Sequence, residues 1–233
     1  MSLVIDQLRQ QCLPEVMRSL GSAVYGVVLN DQKSVAALQP QLYAAPYKVP
    51  PAAPVLYIKP KNTFTQNNAQ VTLPTNERSV EVAASLALVI GQRTTAVTAD
   101  QALAHIAGIG LVADLSLPHN SYYRPAIREK CFDGALPIAD ALISIDDSAA
   151  IGQLCLETYI NNTLVKSHKL DNLVRSAEQL LADVSAYMSL RPADILLLGV
   201  SYQAPQAKVG DKVTVSIAGR SEVSFTIEQG EQR

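Results

Sequence analysis

The longest apolar strand signal in the chain is residues 80–91, VEVAASLALVIG. It has too little polarity for a strand with one wet face, so it predicts a central strand covered on both sides. Residues 109–115 predict a second buried strand, with Asp114 set inside an otherwise apolar run. Ahead of these, Leu3, Val4, Leu8, Cys12, Leu13, Val16, Met17 and Leu20 fall close to a helical stripe that Gly21 ends. Pro14 interrupts that stripe, which predicts a bent or two-piece helix. A strand over 23–29 runs into Asn30-Asp31, followed by a helical patch at 33–38. The proline-rich stretch 45–54 predicts stiff extended coil, 55–58 a strand, and 59–63 the loop leaving it.

Downstream, Thr98 is placed to cap a short helix, and 153–160 with 163–168 read as a hairpin about Asn161-Asn162. Asn tolerates the positive φ such a turn requires. Asp171 is placed to cap a helix over 172–188 with Leu173, Val174, Ala177, Leu180, Leu181, Val184 and Met188 on one face. Strands at 194–199, 212–217 and 222–227 close the pattern. Residues 118–133 are irregular, polar and aromatic, as a site-forming segment would be. The reading is a mostly β chain with a few helices (α+β), organised as an N-terminal helical segment, 1–21, and one domain, 22–233.

Composition narrows the function classes. Hydrophobic residues at 48% and charged residues at 17% fit a folded globular chain of 233 residues. A net charge of −2 lacks the positive field that nucleic-acid binding needs, and 5% aromatics without Trp offer no base-stacking platform. No apolar run approaches the ~20 residues of a membrane span, and the N-terminus lacks the pattern of a secretory signal. A cytoplasmic protein is expected. Cys12, Cys131 and Cys155 stand at no metal spacing and predict buried thiols over reactive or bridging ones. No Ser-His-Asp order, phosphate-binding glycine loop or cysteine metal pattern is present.

Several segments together resemble one family. Residues 86–91 (LALVIG), 108–114 (GIGLVAD), 130–134 (KCFDG), 190–199 (LRPADILLLG) and 209–213 (VGDKV) are similar, in order and spacing, to the fumarylacetoacetate hydrolase family. The likeness is strongest to a member type in which two such units are fused, through residues 47–51, 58–63 and 123–128. The resemblance implies a rolled mixed β-sheet like the C-terminal domain of that family, with the site at one end. It also implies Mg²⁺ or Mn²⁺ held by carboxylates, and small oxo-dicarboxylate substrates that are isomerised or decarboxylated. An unfused unit is expected to pair with a like chain or with a sister chain of the family.

Against that pattern, the two metal-binding Glu positions fall on Ala83 and Ser85, and only Asp114 keeps its carboxylate. Glu81 is on the same strand face, one pleat repeat away. The family's His and Glu, three residues apart on a short helix, fall on Ser34 and Ala37, and Val200-Ser201 follow Gly199 where a Thr-Pro pair is expected. No metal or other cofactor is therefore expected in this chain. Lys130 sits where the family keeps a substrate-facing Lys, so Lys130 and Asp114 are the candidate catalytic pair. Two roles for Lys130 stand open: stabilising an anion, or bridging Asp114 as an ammonium in the vacated metal position. Arg124, Arg128, Asp133 and His119 are the candidate substrate-binding groups, with His119 a replacement acid or base. His105 and His168 read as structural.

Overall fold

In the computed structural model, which describes residues 3–119, 123–144 and 151–230, the two long apolar runs pair with each other. The chain begins with helices α1 (Leu3–Gln10) and α2 (Leu13–Leu20), then strand β1 (Val24–Val28), helix α3 (Gln32–Leu42) and strand β2 (Val55–Lys59). Short strands β3 (Phe64–Thr65) and β4 (Ala69–Leu73) lead into β5 (Ser79–Ile90), helix α4 (Ala99–Ala102) and β6 (Ile106–Ser116). Then come helix α5 (Ile127–Lys130), β7 (Leu136–Pro137), β8 (Cys155–Ile160) and β9 (Thr163–Lys169). Helix α6 (Ala177–Ser185) and strands β10 (Ile195–Leu197), β11 (Gln206–Lys208), β12 (Lys212–Ile217) and β13 (Ser221–Gln229) complete the described order.

One sheet runs β2–β1–β10–β5–β6, with β11 pairing the start of β5. It is mixed, since β1 and β10 are parallel while β5 and β6 are antiparallel. In a flat sheet β2 and β6 would stand roughly 19 Å apart, at ~4.8 Å per strand. Side chains of β2 nonetheless touch a side chain of β6, so the sheet is rolled until its two ends face each other. The second sheet, β4–β13–β12–β8–β9, packs its apolar face on the first through Val71, Val213 and Phe225 against Val80, Leu86 and Leu111. The opposite face of β5 and β6 is covered by α1 and α2, whose Leu8, Leu13 and Met17 join Ala87, Val89 and Val112. The β5 strand is thus apolar on both sides, as its composition predicts.

Local departures from the sequence reading have physical causes. The N-terminal helix is in two pieces, but the break precedes Leu13, and Pro14 lies in the first turn of α2. There its missing N–H costs no helical bond. Gly21, at φ 66°, ends α2 in the left-handed conformation. The helix expected at 172–188 shortens to Ala177–Ser185, capped by Ser176 rather than Asp171. Buried Asn30 holds the preceding residues in a non-helical bend: its side chain accepts from Arg175 N at 2.9 Å and donates to Arg175 O at 3.1 Å. Thr98 precedes α4 without its side chain bonding the helix. The Asn161-Asn162 turn joins β8 to β9 with both φ values positive, at 51° and 63°. The three thiols are free and half-buried rather than buried.

The tightest packing constraint in the roll is at Gly26, opposite Tyr57 in the β1–β2 ladder. A Cβ there would fall inside the Tyr57 ring, so only glycine lets that ring lie across β1. Gly26→Ala is expected to lower stability by ~1–3 kcal/mol through overpacking, as read by urea unfolding. In a Tyr57→Ala background the same change should cost almost nothing, and an equal cost in both backgrounds would refute the packing account.

Candidate functional site

The β5–β6 register places Ala83 directly opposite Asp114, with Glu81 opposite Ser116 and Ser85 opposite Val112. Residues opposite one another in an antiparallel pair share a face, so this wall presents one fully buried carboxylate, Asp114, facing Ala83. The hydroxyl of Ser85 is already committed, donating to Gly199 O at 2.7 Å. From across the roll, Tyr57 and Lys59 project from alternate positions of β2, hence from one face. Lys59 Nζ lies 2.8 Å from Asp114 Oδ1 and donates to Leu115 O at 2.6 Å and Ala135 O at 3.0 Å. Tyr57 donates a short hydrogen bond to Asp114 Oδ2. Lys130, at the end of α5, reaches the same oxygen at 3.4 Å with its ammonium 4.5 Å from the centre of the Tyr57 ring.

The charges reshape one another. Burial alone would push the Asp114 carboxyl up, but the Lys130 and Lys59 charges, with hydrogen bonds from Lys59 and Tyr57, hold it below its usual range. Burial drags Lys59 down to about 8; the attraction of Asp114 opposes this and the charge of Lys130 adds to it. Tyr57 is raised well above the ordinary phenol value, first by burial and then by the charge and hydrogen bond of Asp114. Glu81 is half-buried and raised by burial, against the charges of His119 and Lys130.

Beside this cluster lies a cavity of about 310 Å³. Its walls are largely apolar, including Val28, Val55, Leu56 and Ile127, and Tyr57, His119, Arg124 and Lys130 supply polar groups. Of the expected site residues, Lys130 and Asp114 meet, and His119 and Arg124 join Lys130 at the cavity. Arg128 and Asp133 are not brought there. Arg128 is exposed and paired with Glu77 at 2.6 Å, and exposed Asp133 accepts from Asn62 at 2.7 Å. Ser34 spends its backbone N–H and hydroxyl on the Asp31 cap of α3, and Ala37 is exposed. His105 lies 3.3 Å from Thr94 Oγ1. His168 sits on β9, where burial lowers it to about 4.

Sequence reasoning missed Tyr57 and Lys59, which it assigned only to a strand and the loop leaving it. The available signal was their alternation: a lysine two positions from a tyrosine, on a strand able to face Asp114, has to find a carboxylate if it is buried.

The donor set does not fit a divalent cation. Mg²⁺ takes oxygen ligands in near-octahedral geometry. Here the single carboxylate is already bonded by two ammonium groups and a phenol, and Ala83 has no donor. Among the described residues no group of three or more His, Cys, Asp or Glu side chains is placed to hold a metal.

The family model for the fumarylacetoacetate hydrolase C-terminal domain matches residues 23–228. The chain belongs to this family. It is 35% identical over 198 residues to the 4-hydroxyphenylacetate degradation bifunctional isomerase/decarboxylase of Escherichia coli, covering 84% of this chain and 44% of that protein. It therefore spans less than half the length of that relative. The human mitochondrial oxaloacetate tautomerase FAHD2A is 28% identical over 182 residues, 77% of this chain and 57% of that protein. Among solved structures, the fold matches fumarylpyruvate hydrolase from Pseudomonas aeruginosa, crystallised with Mn²⁺ and pyruvate, with a TM-score of 0.75 at 18% identity. That match covers 89% of this chain and 90% of the other, and shows the shared fold of the fumarylacetoacetate hydrolase family.

Lys59→Met should cost about 3–5 kcal/mol, since it removes the shorter of two ion pairs from a buried carboxylate. Adding Asp114→Leu and Tyr57→Phe should recover much of that loss in urea unfolding. The pH dependence carries a sign. Unfolded lysine titrates near ~10.4, and Lys59 in the fold near about 8. Between these values the unfolded chain holds a proton that the folded one has released, so the contribution of Lys59 to stability rises with pH. The stability gap between wild type and Lys59→Met is expected to widen from pH 8 to 10; a constant or shrinking gap would contradict this.

Proposed function

We propose that this chain is a subunit of a 4-hydroxyphenylacetate-degrading isomerase/decarboxylase, and that its own centre holds no metal, the chain being a catalytically silent scaffold beside a metal-bearing sister chain. The substrates of that assembly are 5-carboxymethyl-2-oxo-hex-3-ene-1,7-dioate, which is decarboxylated, and 2-hydroxyhepta-2,4-diene-1,7-dioate, which is isomerised. In this reading the Lewis-acid step falls to a sister chain that keeps the Glu pair, and the two chains form a hetero-oligomer in the cytoplasm. The observation that carries the proposal is the Lys59 ammonium, 2.8 Å from Asp114 and opposite a wall where Ala83 offers no ligand. In this reading an internal cation takes the place of the external one that the family resemblance implies. The 35% identity over 198 residues supports the choice of pathway.

A second reading keeps chemistry in this chain, with Lys130 and His119 as metal-free proton handlers. It is favoured by their shared place at the cavity.

Isothermal titration of Mg²⁺ and Mn²⁺ into the chelator-stripped chain, with and without oxalate, separates a metal enzyme from a metal-free subunit. No binding at millimolar metal is expected, and tight binding enhanced by oxalate would overturn the proposal. Conversely, the triple change Ala83→Glu, Ser85→Glu and Lys59→Met is expected to create measurable Mn²⁺ affinity. The two glutamates added without the lysine change should create much less, because the ammonium competes for the same carboxylates.

A further inference from the structure

The two lysines at Asp114 are not equivalent. Lys59 is fully buried, donates to Leu115 O at 2.6 Å and Ala135 O at 3.0 Å, and forms an ion pair with Asp114 Oδ1 at 2.8 Å. It does not line the cavity. Lys130 has three donors, and its side chain is only 7% exposed. Among the described residues it has one hydrogen-bond acceptor, Asp114 Oδ2, at 3.4 Å, long for a charge-assisted bond of about 2.7–2.9 Å. Its other close neighbour is the face of Tyr57. A buried ammonium with unused donors is costly unless something completes it.

What stands next to those donors is the cavity, which Lys130 lines. Its volume of about 310 Å³ lies at the small end of the ~300–1,000 Å³ typical of ligand pockets. Asp114 cannot neutralise both ammonium groups. Glu81 is the second carboxylate that senses Lys130, and Arg124 adds a further positive charge at the cavity. At the cavity itself, Lys130 is the buried cation, Arg124 is exposed, and no carboxylate stands among the described lining residues, while Val28, Val55, Leu56 and Ile127 supply an apolar lining. This combination suits one negative charge on an apolar body. A second carboxylate would have to be buried against hydrocarbon without a partner.

We propose that the cavity is a metal-independent binding site for a small monocarboxylate with an apolar body, its carboxylate seated on the Lys130 ammonium. The proposal rests on the metal-free reading of the Asp114 centre and adds the ligand class that centre can still take. Lys59 then acts as the fixed internal cation that holds Asp114, leaving Lys130 to turn toward the ligand.

The test is calorimetric titration of hexanoate and benzoate into the full chain in excess EDTA, with hexanamide, benzamide and adipate as controls. Hexanoate and benzoate should bind, and the neutral amides should bind about ten- to a hundredfold more weakly, the worth of a hydrogen bond to a charged group. Adipate should also bind more weakly than hexanoate. Lys130→Met, which leaves the Lys59–Asp114 pair in place, should reduce hexanoate affinity by a similar factor and leave the amides unchanged. The amide comparison uses the wild-type chain, so it stands even if the variant folds poorly. Equal affinity for hexanoate and hexanamide overturns the proposal, as does absence of carboxylate binding at millimolar ligand. Binding of Mg²⁺ in the separate metal titration would overturn the metal-free reading instead, and the two failures are read in different experiments.

Discussion

A single buried carboxylate closes the rolled sheet. Asp114 lies on the last strand of the order β2–β1–β10–β5–β6, and the groups that satisfy it, Tyr57 and Lys59, lie on the first. Unpaired, an ionised carboxylate at that depth would be prohibitive. Paired across the roll, it ties together strands that share no backbone ladder. The same interaction sets the electrostatics of the centre, because the oxygens of Asp114 are taken up by two ammonium groups and a phenol.

This pairing also explains why the cavity is lopsided. Lys59 is saturated by two backbone carbonyls as well as by Asp114, so its position is fixed. Lys130 rests on the same carboxylate more loosely and on the Tyr57 ring, an arrangement that holds its charge near the cavity without using up its donors. Tyr57 therefore has a double role, as a donor to Asp114 and as a surface for Lys130. Gly26 permits both by leaving room for the ring.

Much of the fold was legible because burial writes itself into composition. Residues 80–91 and 109–115 have no polar periodicity, and they form the strands covered on both faces. The Asn161-Asn162 hairpin was legible from local turn chemistry. Where the sequence misled, a distant partner overrode a local signal: Asp171 is a sound cap, but Asn30 holds residues 174 and 175 in a bend and the helix waits for Ser176. The site was half legible. Motif positions pointed to Asp114 and Lys130, which the fold brings together, whereas Lys59 was hidden because its placement depends on the sheet rolling far enough for β2 to meet β6. Arg128 and Asp133 looked like site residues through proximity in sequence, yet nearer polar groups, Glu77 and Asn62, engage them.

The position of β10 has a consequence for how the molecule is made. This three-residue strand is inserted between β1 and β5, so the ladder pairing Val24 with Ile195 joins segments far apart in sequence. Strand pairs of such sequence separation form slowly, because a long loop must close before any contact rewards it. Until residues 195–197 arrive, β1 and β2 have no neighbour to carry them toward β5, and Lys59 cannot reach Asp114. The strand that carries Asp114 is thus made well before β10, the strand that bridges β1 to β5, and the centre waits on that pairing.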